Sequence, residues 1–452
     1  MDDDIIAALS TPPGRGGIAV IRISGEGTQV VIKKIVENLP TKIIPQKAYH
    51  RFIADRKKRL DECIVTFFKA PFSYSGEDLA EISIHSNPFL IETILKLIYK
   101  TGVREALPGE FTYRAFRHGK MDLIQAESVN ELINANSSYY AAMKFGSLEG
   151  GLSRKVKKIR DHIVQLGIKI ETRIEFEEDQ GFDGITLTDE LEKAEKDLQN
   201  VLENSRFNDV FNKGLDVVIA GKVNVGKSSL FNTLLMEERS IISALPGTTR
   251  DFIKEKLHID GLPVEITDVA GINRKTKNEI EAQGITRSLE KIENCDAVIF
   301  MLDASCELDE TDFEIFKLVE KKRKIVAANK IDIAKPSVLQ AIKSRFKDEK
   351  ILEISVTGSV NIDSVRDFLK ILVGTVKGKD LELTVNRRQK ICLQKLLDIL
   401  GGITRMVKAG ANNIEITAEE IREAMKIIGE LTGEITTDDI LQQIFSRFCV
   451  GK

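Results

Sequence analysis

The stretch Asp216-Val-Val-Ile-Ala-Gly221-Lys-Val-Asn224-Val225-Gly226-Lys227-Ser228-Ser229-Leu230 decides how the rest of the chain is read. Val217 to Ala220 is an apolar run of the kind that forms a buried strand. A turn with glycine at both ends follows, and a helix opens near Lys227. The spacing from Gly221 to Gly226-Lys227-Ser228 is that of a phosphate-binding loop. Glycines let the backbone wrap a polyphosphate with its N–H groups facing the anion, and the helix N-terminus adds positive potential. Lys227 reaches the outer phosphates, and the Ser228 hydroxyl suits Mg²⁺.

Two further strands end in complementary chemistry. Val264-Glu-Ile-Thr-Asp268-Val269-Ala270-Gly271 places a carboxylate for Mg²⁺ and an N–H for the last phosphate. Lys324-Ile-Val-Ala-Ala-Asn329-Lys330-Ile-Asp332 ends in the guanine reader Asn-Lys-x-Asp. The Asp332 carboxylate accepts two N–H groups that guanine has and adenine lacks, so GTP is the expected nucleotide. Sites built on such bonds reject the wrong base strongly. Ser355-Val356-Thr357 follows a fourth apolar run and offers a backbone contact to the base. Order and spacing match translation-factor-like GTPases.

At 452 residues the chain has length for two to four domains. A net charge of −3 gives no global basic field, so contact with RNA must come from local patches. Five scattered cysteines (63, 295, 306, 392, 449) show no paired spacing, as in a reducing cytosol, and five scattered histidines indicate no zinc site. No apolar run approaches a membrane span, and Met-Asp-Asp-Asp-Ile is not a signal-peptide start. A cytoplasmic protein without membrane attachment is expected.

The expected fold class is multidomain α/β. Residues 1–118 read as an α+β domain, with strands at Gly17–Gly25, Cys63–Phe68 and Leu79–His85 and a helix at Phe89–Tyr99. Thr11-Pro-Pro-Gly-Arg-Gly-Gly17 forms a fixed loop. From Met121 the pattern turns helical, and helices resume at Asn386 after the nucleotide-binding unit. Residues 119–212 plus 374–452 are therefore expected to form a helical domain, with the Ras-like P-loop GTPase domain, a parallel-type sheet flanked by helices, inserted at 213–373. Arg154-Lys155-x-Lys157-Lys158-x-Arg160 is a basic helical face, and most such faces are merely solvated.

Mechanism is unusual at one position. Ile272 stands where a water-orienting glutamine would follow Asp-x-x-Gly, and Ile272 cannot hydrogen-bond water. Arg250 is a candidate finger. Asn224 could instead face a monovalent cation beside the phosphates.

Several stretches together resemble the MnmE (TrmE) family of tRNA-modifying GTPases over the whole chain. They are Thr11–Ile18 with Arg22-Ile-Ser-Gly25, Tyr74–Glu81, Gly109–Glu127, Gly247-Thr248-Thr249-Arg250-Asp251, and the ending Phe448-Cys449-Val-Gly-Lys452. The resemblance implies a K⁺-stimulated GTP hydrolase. With an FAD-carrying MnmG-type partner, such a chain adds a carboxymethylaminomethyl- or aminomethyl-type group to position 5 of the wobble uridine of certain tRNAs. The one-carbon donor is a tetrahydrofolate, as the 5-formyl or methylene form. It implies a homodimer formed by the N-terminal folate domain. By matching motif, Arg22, Glu81, Lys120 and Lys452 are the expected folate contacts, and Ser228 and Thr249 the Mg²⁺ ligands. Asn224, Ser243, Leu245 and Thr248 match the K⁺ site, within a nucleotide-binding run Ser243-Ala244-Leu245-Pro246-Gly247-Thr248-Thr249. Glu281 matches the catalytic glutamate that positions water, with Glu279 as the alternative. Cys449 matches a C-terminal cysteine of possible function. The chain departs from the family at Val269, usually threonine, at His85-Ser-Asn87 for His-Gly-Gly, and at Ser355-Val-Thr357 for Ser-Ala-Lys. A ribosome-assembly GTPase that docks on rRNA is the alternative reading, and a dynamin-like GTPase a third.

Overall fold

The computed structural model describes residues 4–56, 58–175, 184–204, 208–236, 254–268, 290–377, 384–409 and 414–452. The chain divides into two compact units, one of residues 1–133, 144–203 and 385–452, the other of 134–143 and 204–384.

The first unit opens with a six-stranded sheet. Its strands are β1 (Ile6–Leu9), β2 (Gly16–Ser24), β3 (Ala48–Asp55), β4 (Lys58–Phe68), β5 (Leu79–Ser86) and β6 (Arg104–Glu105), in the order β3-β4-β5-β2-β1-β6. All pairings are antiparallel except β1 with β6. Alternation sets the faces: Ala19, Ile21 and Ile23 of β2 are buried, and so are Ile82 and Ile84 of β5. The helices Thr28–Ile35 and Pro88–Tyr99 close the core with Val31, Ile32, Ile91, Ile94 and Ile98. Asn87 caps the second helix, accepting from Phe89 N at 3.0 Å, with Pro88 at its first position.

Long helices complete this unit. Gly151–Glu175 buries Leu152, Val156, Ile159, Ile163, Leu166 and Ile170, a stripe at helical spacing. Helix Ile414–Thr432 packs against it and against Arg387–Lys408. Helices that precede and follow the nucleotide-binding unit in sequence are thus joined. A buried network fastens the join. Arg388 donates to both oxygens of Glu127 (2.7 and 2.9 Å) and to the carbonyls of Glu430 and Leu431. Burial opposes the Arg388 charge, but the bonds to Glu127 outweigh it and raise its pKa.

The second unit contains β7 (Leu215–Gly221), β8 (Lys254–Ile259), β9 (Leu262–Asp268), β10 (Ala297–Asp303), β11 (Lys324–Asn329) and β12 (Ile351–Glu353), ordered β12-β11-β10-β7-β9-β8. Only β8 runs antiparallel. The central strands are buried on both faces, which explains their unbroken apolar sequence. Chain order reverses at β7, so the carboxyl ends of β7 and its neighbours form the crevice where such sheets bind ligands.

The structure moves some sequence boundaries. The nucleotide-binding unit reaches 204–384 rather than 213–373, and it takes in residues 134–143. The cause is burial: Tyr140 and Met143 lie in its core with Phe211 and Val217, and Ser137 Oγ donates to Phe211 O at 2.6 Å. Further helices span Gly184–Asn204 and Asp438–Phe445.

Candidate functional site

The nucleotide cradle is built at the carboxyl ends of three strands. The loop after β7 turns through left-handed backbone at Asn224 (φ 66°) and Gly226 (φ 102°) before helix Lys227–Met236. Gly226 is required there, because a Cβ would run into the Asn329 amide. Val225 is buried beneath the loop, while Asn224 and Ser229 are exposed. Lys227 is buried, and its Nζ donates to Gly221 O (3.0 Å) and Lys222 O (2.7 Å). Burial lowers the Lys227 pKa, and Asp268 works against that. An ammonium in that setting gains from a polyphosphate partner.

Ser228 Oγ donates to Asp268 Oδ2, while buried Asp268 Oδ1 has no hydrogen-bond partner among the described residues. A hydroxyl and a carboxylate converge there, with one carboxylate oxygen unsatisfied. This donor set fits a hard divalent cation such as Mg²⁺.

The base-reading loops are tied to the phosphate loop through one residue. Asn329 is buried at the end of β11. Its Nδ2 donates to Val225 O at 2.8 Å, and its Oδ1 accepts from Val356 N at 3.1 Å. Lys330 adopts left-handed backbone (φ 64°), and its Nζ reaches Asp303 Oδ2 at 2.6 Å. Burial pushes the Asp303 carboxyl up, but hydrogen bonds from Lys330 and Ser305 hold it below its ordinary range. Asp332 Oδ1 accepts from Ser355 Oγ at 2.5 Å, and Ser355 is fully buried. Val356 is buried and Thr357 exposed in the same loop. Asn329, Lys330, Asp332 and Ser355–Thr357 thus lie together at the ends of β11 and β12.

Two supports were not singled out by sequence. Lys222 Nζ is clamped between Asp309 Oδ2 (2.9 Å) and buried Asp312 Oδ2 (2.8 Å). Asp309 is also the N-cap of helix Glu310–Val319. Asp303, which holds Lys330, ends β10 as Asp268 and Asn329 end their own strands. That shared position is the sequence signal that marks it.

Ser243, Ala244, Leu245, Pro246, Gly247, Thr248, Thr249, Arg250, Val269, Ala270, Gly271, Ile272, Glu279 and Glu281 lie outside the described residues.

A second constellation lies in the other unit. Arg22 of β2 faces Glu81 of β5 across the sheet, donating from Nε (3.1 Å) and Nη2 (2.6 Å), both to Oε1. The Tyr74 and Phe111 rings flank the guanidinium at 4.9 and 5.6 Å. The chain terminus joins them. Ser10 Oγ donates to Gly451 O at 3.0 Å, and Gly109 N donates to Cys449 O at 3.3 Å. Gly451 has φ 92°, and a Cβ there would strike Leu9 O. Lys452 is seated near Arg22 and Glu81. Burial first, then the Arg22 charge, lowers its pKa. Lys120 shares no hydrogen bond or ion pair with these three; its Nζ donates to Pro71 O at 3.0 Å. Cys449 is exposed. Among the described residues no helix is long and apolar enough to cross a membrane.

A family profile described as the MnmE helical domain matches residues 123–449, and one described as the GTP-binding protein TrmE N-terminus matches 5–120. A tRNA modification GTPase MnmE of Alkaliphilus oremlandii is 38% identical, covering 100% of this chain and 99% of its own. That of Aquifex aeolicus is 37% identical over 99% of each, and that of Thermotoga maritima 36% identical over 99% of this chain and 100% of its own. A solved structure of Era with MgGDPNP and 16S ribosomal RNA nucleotides is 29% identical over 34% of this chain and 55% of its own. Its TM-score is 0.30. With two profiles spanning nearly the whole chain and full-length relatives above 35% identity, the chain belongs to the MnmE (TrmE) family of tRNA modification GTPases.

Proposed function

We propose that this chain is a K⁺-stimulated GTP hydrolase. With a flavin-carrying MnmG-type partner, it modifies position 5 of the wobble uridine of certain tRNAs, using a tetrahydrofolate one-carbon unit. Family membership supports GTP hydrolysis in tRNA modification. The observation that carries the GTP reading is the double tie of Asn329. It holds the phosphate loop and the base loop in one frame, so phosphate and guanine are gripped together.

The residues divide the work. Loop N–H groups and Lys227 bind the phosphates, and Asp332 with the 355–357 loop binds the base. Ser228 and Asp268, with Thr249, would hold Mg²⁺, which supplies charge neutralisation at the outer phosphates. Asn224 presents its exposed side chain on the loop beside them. With Ser243, Leu245 and Thr248 it would hold K⁺, whose charge replaces an arginine finger. Glu281, or Glu279, would orient the attacking water. Arg22, Glu81 and Lys452, and at a further contact Lys120, would receive the folate. Glu81 Oε2 makes no hydrogen bond among the described residues, so a carboxylate oxygen is open for pterin N–H groups. The cations suit the folate's glutamate tail.

The test is the GTPase rate in KCl against NaCl at equal ionic strength, with gel filtration in GDP–aluminium fluoride. Strong K⁺ stimulation with tighter self-association is the expected result. Equal rates in the two salts remove the K⁺ mechanism and leave the GTP site standing.

A further inference from the structure

The chain has short runs rich in cations at 56–59, 154–160 and 321–324, and the last two differ in what holds them. At 322–324 the cations are held by the fold. Lys322 donates to the Glu293 and Cys295 carbonyls, Arg323 to Thr375 Oγ1, and Lys324 pairs with Glu349 at 2.7 Å. At 154–158 they are not. Lys155, Lys157 and Lys158 make no ion pair or hydrogen bond through Nζ among the described residues, and all three are exposed. Other cations on helices of the same unit do find acidic partners: Arg160 with Glu434, Lys169 with Glu190, and Arg422 with Glu171.

Helix geometry turns this run into a surface. Leu152, Val156 and Ile159 of helix Gly151–Glu175 face the core. At about 100° per residue, Arg154, Lys155, Lys157 and Lys158 fall within an arc of roughly 160° on the opposite side. No acidic residue occurs from 151 to 160, and Asp161 is the first. The first turn holds no acid. Cations near a helix N-terminus oppose its dipole, so helix stability does not account for the run. Arg154 is braced, its Nη1 donating to Glu149 O at 2.8 Å, which fixes one end of the arc. A convex row of free ammonium groups fits the phosphate backbone of a nucleic acid.

We propose that the exposed face formed by Arg154, Lys155, Lys157 and Lys158 is a phosphate-contacting surface for the tRNA substrate. This rests on the reading that the chain acts on tRNA. The lysines position the RNA and carry no sequence information, since ammonium groups bind phosphate as point charges.

The test is binding of full-length chain to a transcribed tRNA across a KCl titration. It compares wild type, the triple variant Lys155→Gln/Lys157→Gln/Lys158→Gln, and a control triple Lys317→Gln/Lys321→Gln/Lys347→Gln that removes the same charge elsewhere. The first triple is expected to weaken binding about tenfold or more and to flatten the log–log salt slope by about two. The control and the GTPase rate stay at wild-type values. Wild-type affinity and slope in the first triple, or equal loss in both triples, overturns the proposal. A wild-type chain that binds no tRNA overturns the tRNA reading itself.

Discussion

The nucleotide cradle and the Arg22–Glu81–Lys452 cluster are built in opposite ways. The cradle is made largely of backbone at strand ends, and each of its motifs is continuous in sequence. Its loops meet because a parallel sheet aligns the carboxyl ends of its strands. The cluster is made of side chains that come from two strands and the final residue of the chain. It exists only because the tail docks on β1, through Ser10 to Gly451, and on Gly109, through Cys449. Local backbone geometry writes the first site, and distant docking assembles the second.

The comparison predicts separable failures. Asp332→Ala, in the cradle, should have the largest effect. It removes hydrogen bonds to a charged acceptor worth about 3 kcal/mol or more together, so GTP affinity falls over a hundredfold. Displacement of a fluorescent guanine nucleotide reads it. An affinity within threefold of wild type would break the assignment of Asp332 to the base.

Gly451→Ala should act on the other site alone. Its positive φ and the approach of Leu9 O leave no room for a Cβ, so the tail must unseat. Folate affinity should fall about tenfold by calorimetry while GTP affinity holds. Loss of both together would show that the two sites are not separable.

Lys222→Met sharpens the comparison from the cradle's side. The Lys222 ion pair is partly exposed on one side and buried at Asp312. Its loss should cost about 1 kcal/mol, a several-fold faster nucleotide release. Lys222→Arg, which keeps the charge, should recover most of it. A release rate unchanged in Lys222→Met would mean the clamp does not shape the loop.

The smallest effect is a pH dependence in the unit that opens the chain. Asp4 is held down at about 2, first by its hydrogen bond from Arg104, against some burial and with help from Arg114. A depressed carboxyl stabilises the fold fully above its unfolded value near 3.8 and loses that contribution as pH falls toward 2. Melting temperature should therefore drop less steeply between pH 4 and pH 2 in Asp4→Asn than in wild type. Parallel profiles would assign the acid limb to other groups.

Legibility followed the same division. The run 216–230, the acid at 268 and the reader at 329–332 were readable because each combines a strand period with residues that chemistry restricts. Lys222 was not, since a lysine in a loop announces no partner. Residues 134–143 were not either. Tyr140 and Met143 look like any helix positions, and only the fold shows them buried in the nucleotide-binding core.

The sequence by itself determined the P-loop architecture, the guanine preference and the helical segments on either side. Those depend on periodicity, glycine and short-range hydrogen bonding, which act within a few residues. Tertiary structure alone decided that Glu127 locks Arg388, that Asp309 and Asp312 hold Lys222, and that Gly451 docks on Ser10. Each joins groups far apart in the chain, and their meeting is set by sheet register and helix packing, which no local pattern encodes.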